Sequence, residues 1–243
     1  MTLRELSLFD RLADDGFALV GSVFDSAECD QLITELEASL AVCHDDKVVL
    51  RRANGAIFGA RNLLAMFDKA ATLWRKRPLI DLLVNVLGEH FGLVRGLYFD
   101  KPPDSTWSLP WHQDRTIAVQ DNSLPSDHFR NPTTKGGVPH VEAPDDLLRQ
   151  MLTVRIHLDD VTDENGPLQV LPGTHAACDA SFARLPVTIF AKAGDVLAMR
   201  PLLSHASGIS NPETTRHRRV IHLEFAAIRN LPGGYEWHDF VPL

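Results

Sequence analysis

Two short stretches hold side chains that can grip a metal ion together: Trp111-His112-Gln113-Asp114 and, far downstream, Leu203-Ser204-His205-Ala206-Ser207. In extended backbone, side chains two residues apart point to one face, so His112 and Asp114 can act on one object. With His205 they make a set of two imidazoles and one carboxylate, which suits Fe(II) and leaves coordination positions open. A His-x-Asp triplet alone says little, because eleven histidines and 32 acidic residues make chance triplets expected. His44-Asp45-Asp46 reads as a solvated helix end, and His222-Leu223-Glu224 as a strand face. His112-Gln113-Asp114 differs in its setting. It follows a strand and a proline-marked turn, and it precedes a long polar segment.

Such residues need a sizeable scaffold. The chain's 243 residues fit one large domain, or one domain with helical additions. With 44% hydrophobic and 23% charged residues, the composition is that of an ordinary globular protein. A net charge of −8 speaks against a nucleic-acid backbone or an anionic membrane as the main partner. No apolar run approaches the roughly 20 residues of a membrane span, and the N-terminus lacks the pattern of a signal peptide. Cys29, Cys43 and Cys178 show no metal spacing and read as reduced thiols, so a cytoplasmic location is expected.

Residues 17–21 read as a short buried strand. Asp25 or Ser26 caps a predicted helix over 27–40, with Leu32, Ile33, Leu36 and Leu40 at helical spacing. Two more helices are predicted over 63–74 and 78–87, the latter opening with Pro78 and closing at Gly88. The first ninety residues thus read as mainly helical. Strands follow at 93–99, 152–158, 168–171, 196–199 and 219–225, separated by Gly, Pro and Asp turns, as in a β-sandwich or barrel. The stretch 120–146 is polar and rich in Pro and Gly, and beside a site it is predicted to be a lid loop.

Taken in order, several motifs form a series: Lys101-Pro-Pro-Asp-Ser105, His112-Gln-Asp114, Asn165-Gly-Pro-Leu-Gln-Val-Leu-Pro-Gly-Thr-His175, Gly194-Asp195-Val, His205-Ala-Ser-Gly208 and Arg218-Arg219-Val-Ile. The series resembles the phytanoyl-CoA dioxygenase family of Fe(II)- and 2-oxoglutarate-dependent oxygenases, over residues 90–225. The resemblance implies a mainly β fold, a double-stranded β-helix (jelly-roll, cupin-like) core with flanking helices. It implies a single domain over 1–243, with the core at 91–228 and the lid at about 115–150. It also implies Fe(II), 2-oxoglutarate as co-substrate and O2, with His112, Asp114 and His205 as the metal ligands. His175 competes for the distal position, although its Pro-Gly-Thr-His setting looks like the family's structural turn.

The family places an arginine after the distal His to hold the far carboxylate of 2-oxoglutarate, where a guanidinium fork makes two parallel hydrogen bonds. The Arg-x-Val-Ile setting favours Arg218. A spacing from His205 about two residues longer than usual in the family leaves Arg216 and Arg219 open. Ser207 either adds a hydroxyl to the co-substrate or serves a turn. The family often carries Trp and Ala where this chain has Arg155 and His157. With Thr153 these alternate onto the pocket face, so Thr153 and Arg155 join Ser207 and Arg218 as cofactor-binding candidates. A buried cation needs a partner, and Arg155 can find it in an anionic substrate, in 2-oxoglutarate or in a structural salt bridge. Arg61 is either a pocket cation or a surface arginine. Trp107 and Trp111 flank the approach, and His128, Arg130, Lys135 and His140 give the lid cationic character.

The resulting expectation is an enzyme, a 2-oxoglutarate-dependent dioxygenase. It hydroxylates a C–H bond of a small organic substrate, anionic if Arg155 meets it, and releases succinate and CO2. Asp114, standing where a small residue would admit halide, favours hydroxylation over halogenation. Three other readings stay open: a protein or peptide hydroxylase of the same fold, a non-catalytic ligand-binding jelly roll, and a metal enzyme that does not use 2-oxoglutarate. A long lid points to a small molecule, and the intact ligand set with an arginine speaks against a non-catalytic role.

Overall fold

Side-chain alternation along two long central strands organises the molecule. The computed structural model describes residues 7–103, 106–176 and 185–243. Its N-terminal part supplies β1 (Phe17–Val20), β2 (Val49–Arg51), β3 (Ile57–Ala60) and β4 (Gly92–Phe99). Next come β5 (Leu109–His112), β6 (Thr116–Ala118), β7 (Arg130–Lys135), β8 (Val138–Glu142) and β9 (Met151–His157). The chain ends with β10 (Leu168–Val170), β11 (Val187–Ile189), β12 (Val196–Met199), β13 (His205–Ser207), β14 (Val220–Ala226) and β15 (Val241–Pro242). Eight strands form a large antiparallel sheet in the order β1-β12-β9-β14-β4-β3-β2, with β15 beside β4. A smaller sheet, β11-β10-β13-β5, shares a cavity with it, and β6-β8-β7 form a third. This is the expected jelly-roll arrangement.

The pleat sorts β9 and β14 into two chemistries. Leu152, Val154, Ile156, Ile221, Leu223 and Phe225 join the main apolar cluster, together with Leu32, Leu36 and Leu40 of helix Ser26–Ala41 and Leu79, Leu82 and Leu83 of helix Arg77–Leu87. Thr153, Arg155, His157, His222 and Glu224 occupy the alternate positions and face the other way, yet they are buried as well. The large sheet is therefore covered by helices on one side and by the cavity on the other. Trp74, Phe91 and Phe225 meet edge-to-face at 5.4, 5.5 and 5.9 Å. Each such buried ring contributes about 1.5–3 kcal/mol through burial alone.

The capping expectation holds in detail. Asp25 accepts from the Glu28 N–H at 2.8 Å, and Glu28 accepts from the Asp25 N–H at 2.9 Å. Two other expectations need correction. The helix predicted over 63–74 is broken into Leu63–Met66 and the 3-10 turns Asp68–Ala71 and Leu73–Arg75. The turn places Trp74 fully in the core with its indole N–H on the Ala71 carbonyl at 3.0 Å, so packing overrides helical periodicity. The N-terminal part is mainly helical as expected, and its short strands tie it into the large sheet, β1 pairing with β12 and β3 with β4. Finally, the 120–146 stretch is not a loop throughout. It holds the β7–β8 hairpin, whose Gly136 and Gly137 at φ 58° and 79° make the tight two-residue turn. Phe129 and Val141 anchor it in an apolar cluster with Tyr235 and Trp237. Ser105, at the end of the 101–105 turn, and Cys178 lie outside the described residues.

Gly194 joins the N-terminal part to the sheet. Its carbonyl accepts from the N–H groups of Val23 and Phe24, and Asp195 accepts from the Ser22 N–H. Its φ is +90°, and a Cβ there would fall 2.0 Å from the Phe24 carbonyl oxygen. Gly194→Ala is therefore expected to lower stability by about 3 kcal/mol, measured by urea denaturation, through left-handed strain and a backbone clash.

Candidate functional site

Strand pairing assembles the metal-binding candidates. β5 and β13 run antiparallel with His112 directly opposite His205, and the two rings lie 4.2 Å apart. Asp114 sits two residues past the end of β5 rather than within it. Its N–H donates to the Pro201 carbonyl at 2.9 Å, and the Gln113 amide donates to the Leu202 carbonyl at 2.7 Å. These bonds hold the Gln113-Asp114 turn against the loop that leads into His205.

The donor set fits a divalent metal. Nε2 of His112 lies 3.8 Å from one Asp114 oxygen, and Nε2 of His205 lies 3.7 Å from the other. All three ligand atoms fall within 4.8 Å of one another. Nδ1 of His112 and of His205 lie 2.7 and 2.8 Å from the carbonyl oxygens of Pro110 and Leu203. A carbonyl only accepts, so each ring carries its proton on Nδ1 and turns the Nε2 lone pair inward. Asp114 Oδ2 is buried and has no hydrogen-bond partner, an orphaned acceptor where a cation would sit. Burial lowers the His205 pKa to about 4, so the ring is neutral at ordinary pH, the form that can ligate a metal. Burial acts to raise the Asp114 pKa, but His205, His222, His112 and Arg155 outweigh it and hold the carboxyl below its usual value.

The triad opens into a cavity of about 160 Å³. Arg218 reaches that cavity, 1% exposed, with Nη2 3.4 Å from Ser207 Oγ and with Nε and Nη1 unpartnered. The rival arginines point elsewhere. Arg219 binds both Asp159 oxygens at 2.7 and 2.9 Å and Glu37 at 3.0 Å, while Arg216 is exposed beside Glu164. Ser207 Oγ also accepts from Lys101 Nζ at 2.7 Å, and that buried ammonium bonds the carbonyls of Gly166 and Gly208 too. Burial, with Arg218 and Arg155 nearby, lowers the Lys101 pKa to about 7. Arg155 lines the cavity and donates to His222 Nδ1 at 3.2 Å. Among the described residues no carboxylate forms an ion pair with Arg155, Arg218 or Lys101.

Several other candidates fall outside the cavity wall. Thr153 is buried on the same face as Arg155, its hydroxyl without a partner, but it does not line the cavity. His175 lies by the short helix Leu8–Asp14, with Nε2 3.1 Å from the Ala13 carbonyl, away from the His112, Asp114 and His205 cluster. Arg61 donates to the Lys47 carbonyl on an outer groove, and Trp111 is exposed while Trp107 lines the cavity. Sequence reasoning missed Arg95, and it read His222 and Glu224 only as a strand face. Glu224 accepts from Arg95 at 3.2 Å and from His222 at 3.3 Å on the cavity wall. A lone arginine within the apolar run Gly92–Phe99 was the available signal.

Three histidines are buried as neutral rings. Burial depresses His157 to about 3, with Arg155 and Arg218 adding to it, and His140 and His205 to about 4. Their folded pKa values lie below the ordinary value near 6.5. Their stability contribution is therefore full above that pH and is lost as pH falls toward the folded values. Denaturation of the metal-free protein at pH 8 and pH 5 is expected to show a loss of about 2 kcal/mol per buried histidine.

Residues 12–219 match the family model described as Phytanoyl-CoA dioxygenase (PhyH). The chain is 25% identical over 171 residues to a probable alpha-ketoglutarate-dependent hypophosphite dioxygenase of Stutzerimonas stutzeri, covering 67% of this chain and 50% of that protein. It is 28% identical over 131 residues to L-proline trans-4-hydroxylase of Streptomyces griseoviridis, covering 54% and 41%. The chain thus spans about half the length of the curated relatives it matches. HygX from Streptomyces hygroscopicus, solved with nickel and 2-oxoglutarate bound, shares the fold with a TM-score of 0.61 at 18% identity, over 99% of this chain and 98% of that one. With a family match spanning most of its length, the chain belongs to the phytanoyl-CoA dioxygenase family of Fe(II)- and 2-oxoglutarate-dependent oxygenases.

Proposed function

We propose that this protein is an Fe(II)- and 2-oxoglutarate-dependent dioxygenase that hydroxylates a C–H bond of a small anionic molecule. One observation carries the reading: the unpaired Arg218 guanidinium and the His112, Asp114 and His205 donors stand on the walls of one cavity. Relatives named as an alpha-ketoglutarate-dependent dioxygenase and as a proline hydroxylase support it, as does a neighbour of the same fold that holds nickel and 2-oxoglutarate.

In this reading His112, Asp114 and His205 hold the metal. When bound, Fe(II) with 2-oxoglutarate and O2 supplies the oxidative chemistry, turning the co-substrate into succinate and CO2 and placing one oxygen atom in a C–H bond. Arg218 takes the far carboxylate of 2-oxoglutarate, with Ser207 and Lys101 beside it. A buried cation without a counter-charge costs several kcal/mol, and a dianionic co-substrate offsets that cost where no carboxylate among the described residues pairs with it. Arg155 adds a second guanidinium to the same cavity. Phe99, Trp107, Leu97, Leu109 and Leu168 form its apolar wall and exclude water. Among the described residues no helix is long and apolar enough to cross a membrane.

The test is anaerobic. Metal-free protein receives Fe(II) and then 2-oxoglutarate, and the visible charge-transfer band is followed. The band is expected in wild type, absent in His112→Ala, and in Arg218→Ala reached only at about 100-fold higher 2-oxoglutarate, a loss of ~2.7 kcal/mol. A well-folded wild type that binds iron but gives no band sinks the reading.

Arg155→Trp, the residue the family often carries there, is expected to leave iron affinity unchanged and to weaken 2-oxoglutarate by about 10-fold. Unchanged affinity for both co-substrate and substrate removes Arg155 from the ligand set.

A further inference from the structure

The inner face of β14 grades from one charge environment to another. Arg218 stands before its first residue and Glu224 near its end, six residues of extended chain or roughly 20 Å apart. Between them Arg155 bonds His222, and His222 bonds Glu224. At the far end the Glu224 carboxylate is engaged by Arg95. The remaining cation there is Lys135, the last residue of β7, which lines the cavity with Thr116. Its Nζ donates to Thr116 Oγ1 at 3.1 Å, and among the described residues it forms no ion pair. Burial pushes its pKa below the ordinary value, and Arg95 and Arg61 add to that.

Lys135 is held in place and serves two spaces. Asn62 donates to the Gly136 carbonyl at 2.7 Å, and a Cβ on Gly136 would meet the Lys47 carbonyl at 3.1 Å, so the hairpin tip is clamped to the N-terminal part. Outside this clamp a groove of about 500 Å³ is lined by Lys47, Arg61, Lys135 and Asp46. Asp46 is 3.6 Å from Arg51, whereas Lys47 and Arg61 form no ion pair among the described residues. Lys135 belongs to both the inner cavity and this cationic groove.

We propose that Lys135 is the substrate-recognition cation, binding a carboxylate, phosphonate or phosphate group of the substrate where cavity and groove meet, with Arg61 and Lys47 drawing the anion in. The proposal rests on the oxygenase reading and deepens it by separating two anion sites: Arg218 for the co-substrate and Lys135 for the substrate. A cationic approach raises the encounter rate of an anion and disfavours an amine.

The experiment loads the protein with Ni(II) and 2-oxoglutarate, which is redox-inert, and titrates hexylphosphonate, hexanoate and hexylamine by calorimetry. Wild type is expected to bind both anions and not the amine. Lys135→Met is expected to weaken the anions by about 10-fold or more, Lys135→Arg to stay within about 3-fold, and Lys135→Glu to favour the amine. Titration of 2-oxoglutarate into each Ni(II)-loaded variant is expected to agree with wild type within about 2-fold, which also reports correct folding. The proposal is overturned if neither anion binds wild type, or if Lys135→Met binds them as wild type does. Failure of 2-oxoglutarate itself to bind metal-loaded wild type overturns the oxygenase reading, and this one with it.

Discussion

Arg155, Arg218 and Lys101 sit inside the barrel with no carboxylate paired to them among the described residues, and this uncompensated positive charge constrains everything around it. Such groups are tolerated only where hydrogen bonds or a counter-ion offset the loss of water. Lys101 uses Ser207 and two backbone carbonyls, and Arg155 uses His222. Arg218 is left with one long contact to Ser207 and two unpartnered nitrogens. The neighbouring apolar wall keeps the dielectric low, so an anion entering this space meets strong attraction.

Rigidity comes from covering the large sheet twice. Helices cover one face with leucine and aromatic side chains, and the smaller sheet stands across the cavity from the other. The glycines at which backbone segments meet make this closeness feasible. Gly166 has the Gly208 carbonyl and the Lys101 ammonium where its Cβ would be, and Gly194 has the Phe24 carbonyl. Thus Gly166 and Gly194 act through backbone geometry, while Asn165 and Asp195 add side-chain hydrogen bonds to the same turns. The Asn165 side chain bonds the Asp160 and His217 carbonyls and the Thr162 N–H, fixing the turn before β10.

Charge on the cavity wall is spatially ordered. Arg219, adjacent in sequence to Arg218, turns its guanidinium to Asp159 and Glu37, so two neighbouring arginines face an ion-pair network and the cavity respectively. The row Arg155, His222, Glu224 and Arg95 then links the Arg218 end to the Lys135 end through hydrogen bonds. Polar groups of this kind inside a β-barrel are stabilising only when nearly all are satisfied. Arg218, Arg155 and Asp114 each keep a buried polar atom without a partner on residues that line the cavity.

By itself, the sequence determined the elements whose cause is local. The capped helix after Asp25, the alternating strands β9 and β14, and the His-x-Asp and Arg-x-Val-Ile motifs were legible because capping, pleat period and motif spacing act over a few residues. Tertiary structure alone decided which distant pieces meet. Pairing of β5 with β13 set His205 opposite His112, and packing turned the 63–74 stretch from a helix into irregular turns around Trp74. The polar 120–146 stretch became a sheet because its hairpin and the aromatic cluster at Tyr235 and Trp237 gave it a core, which local composition does not record. Sequence reasoning names Lys135 only as one of several lid cations and passes over Arg95 for the same reason. Their environment is supplied by β14 and by Asn62, residues far away along the chain, and long-range pairing alone brings these together.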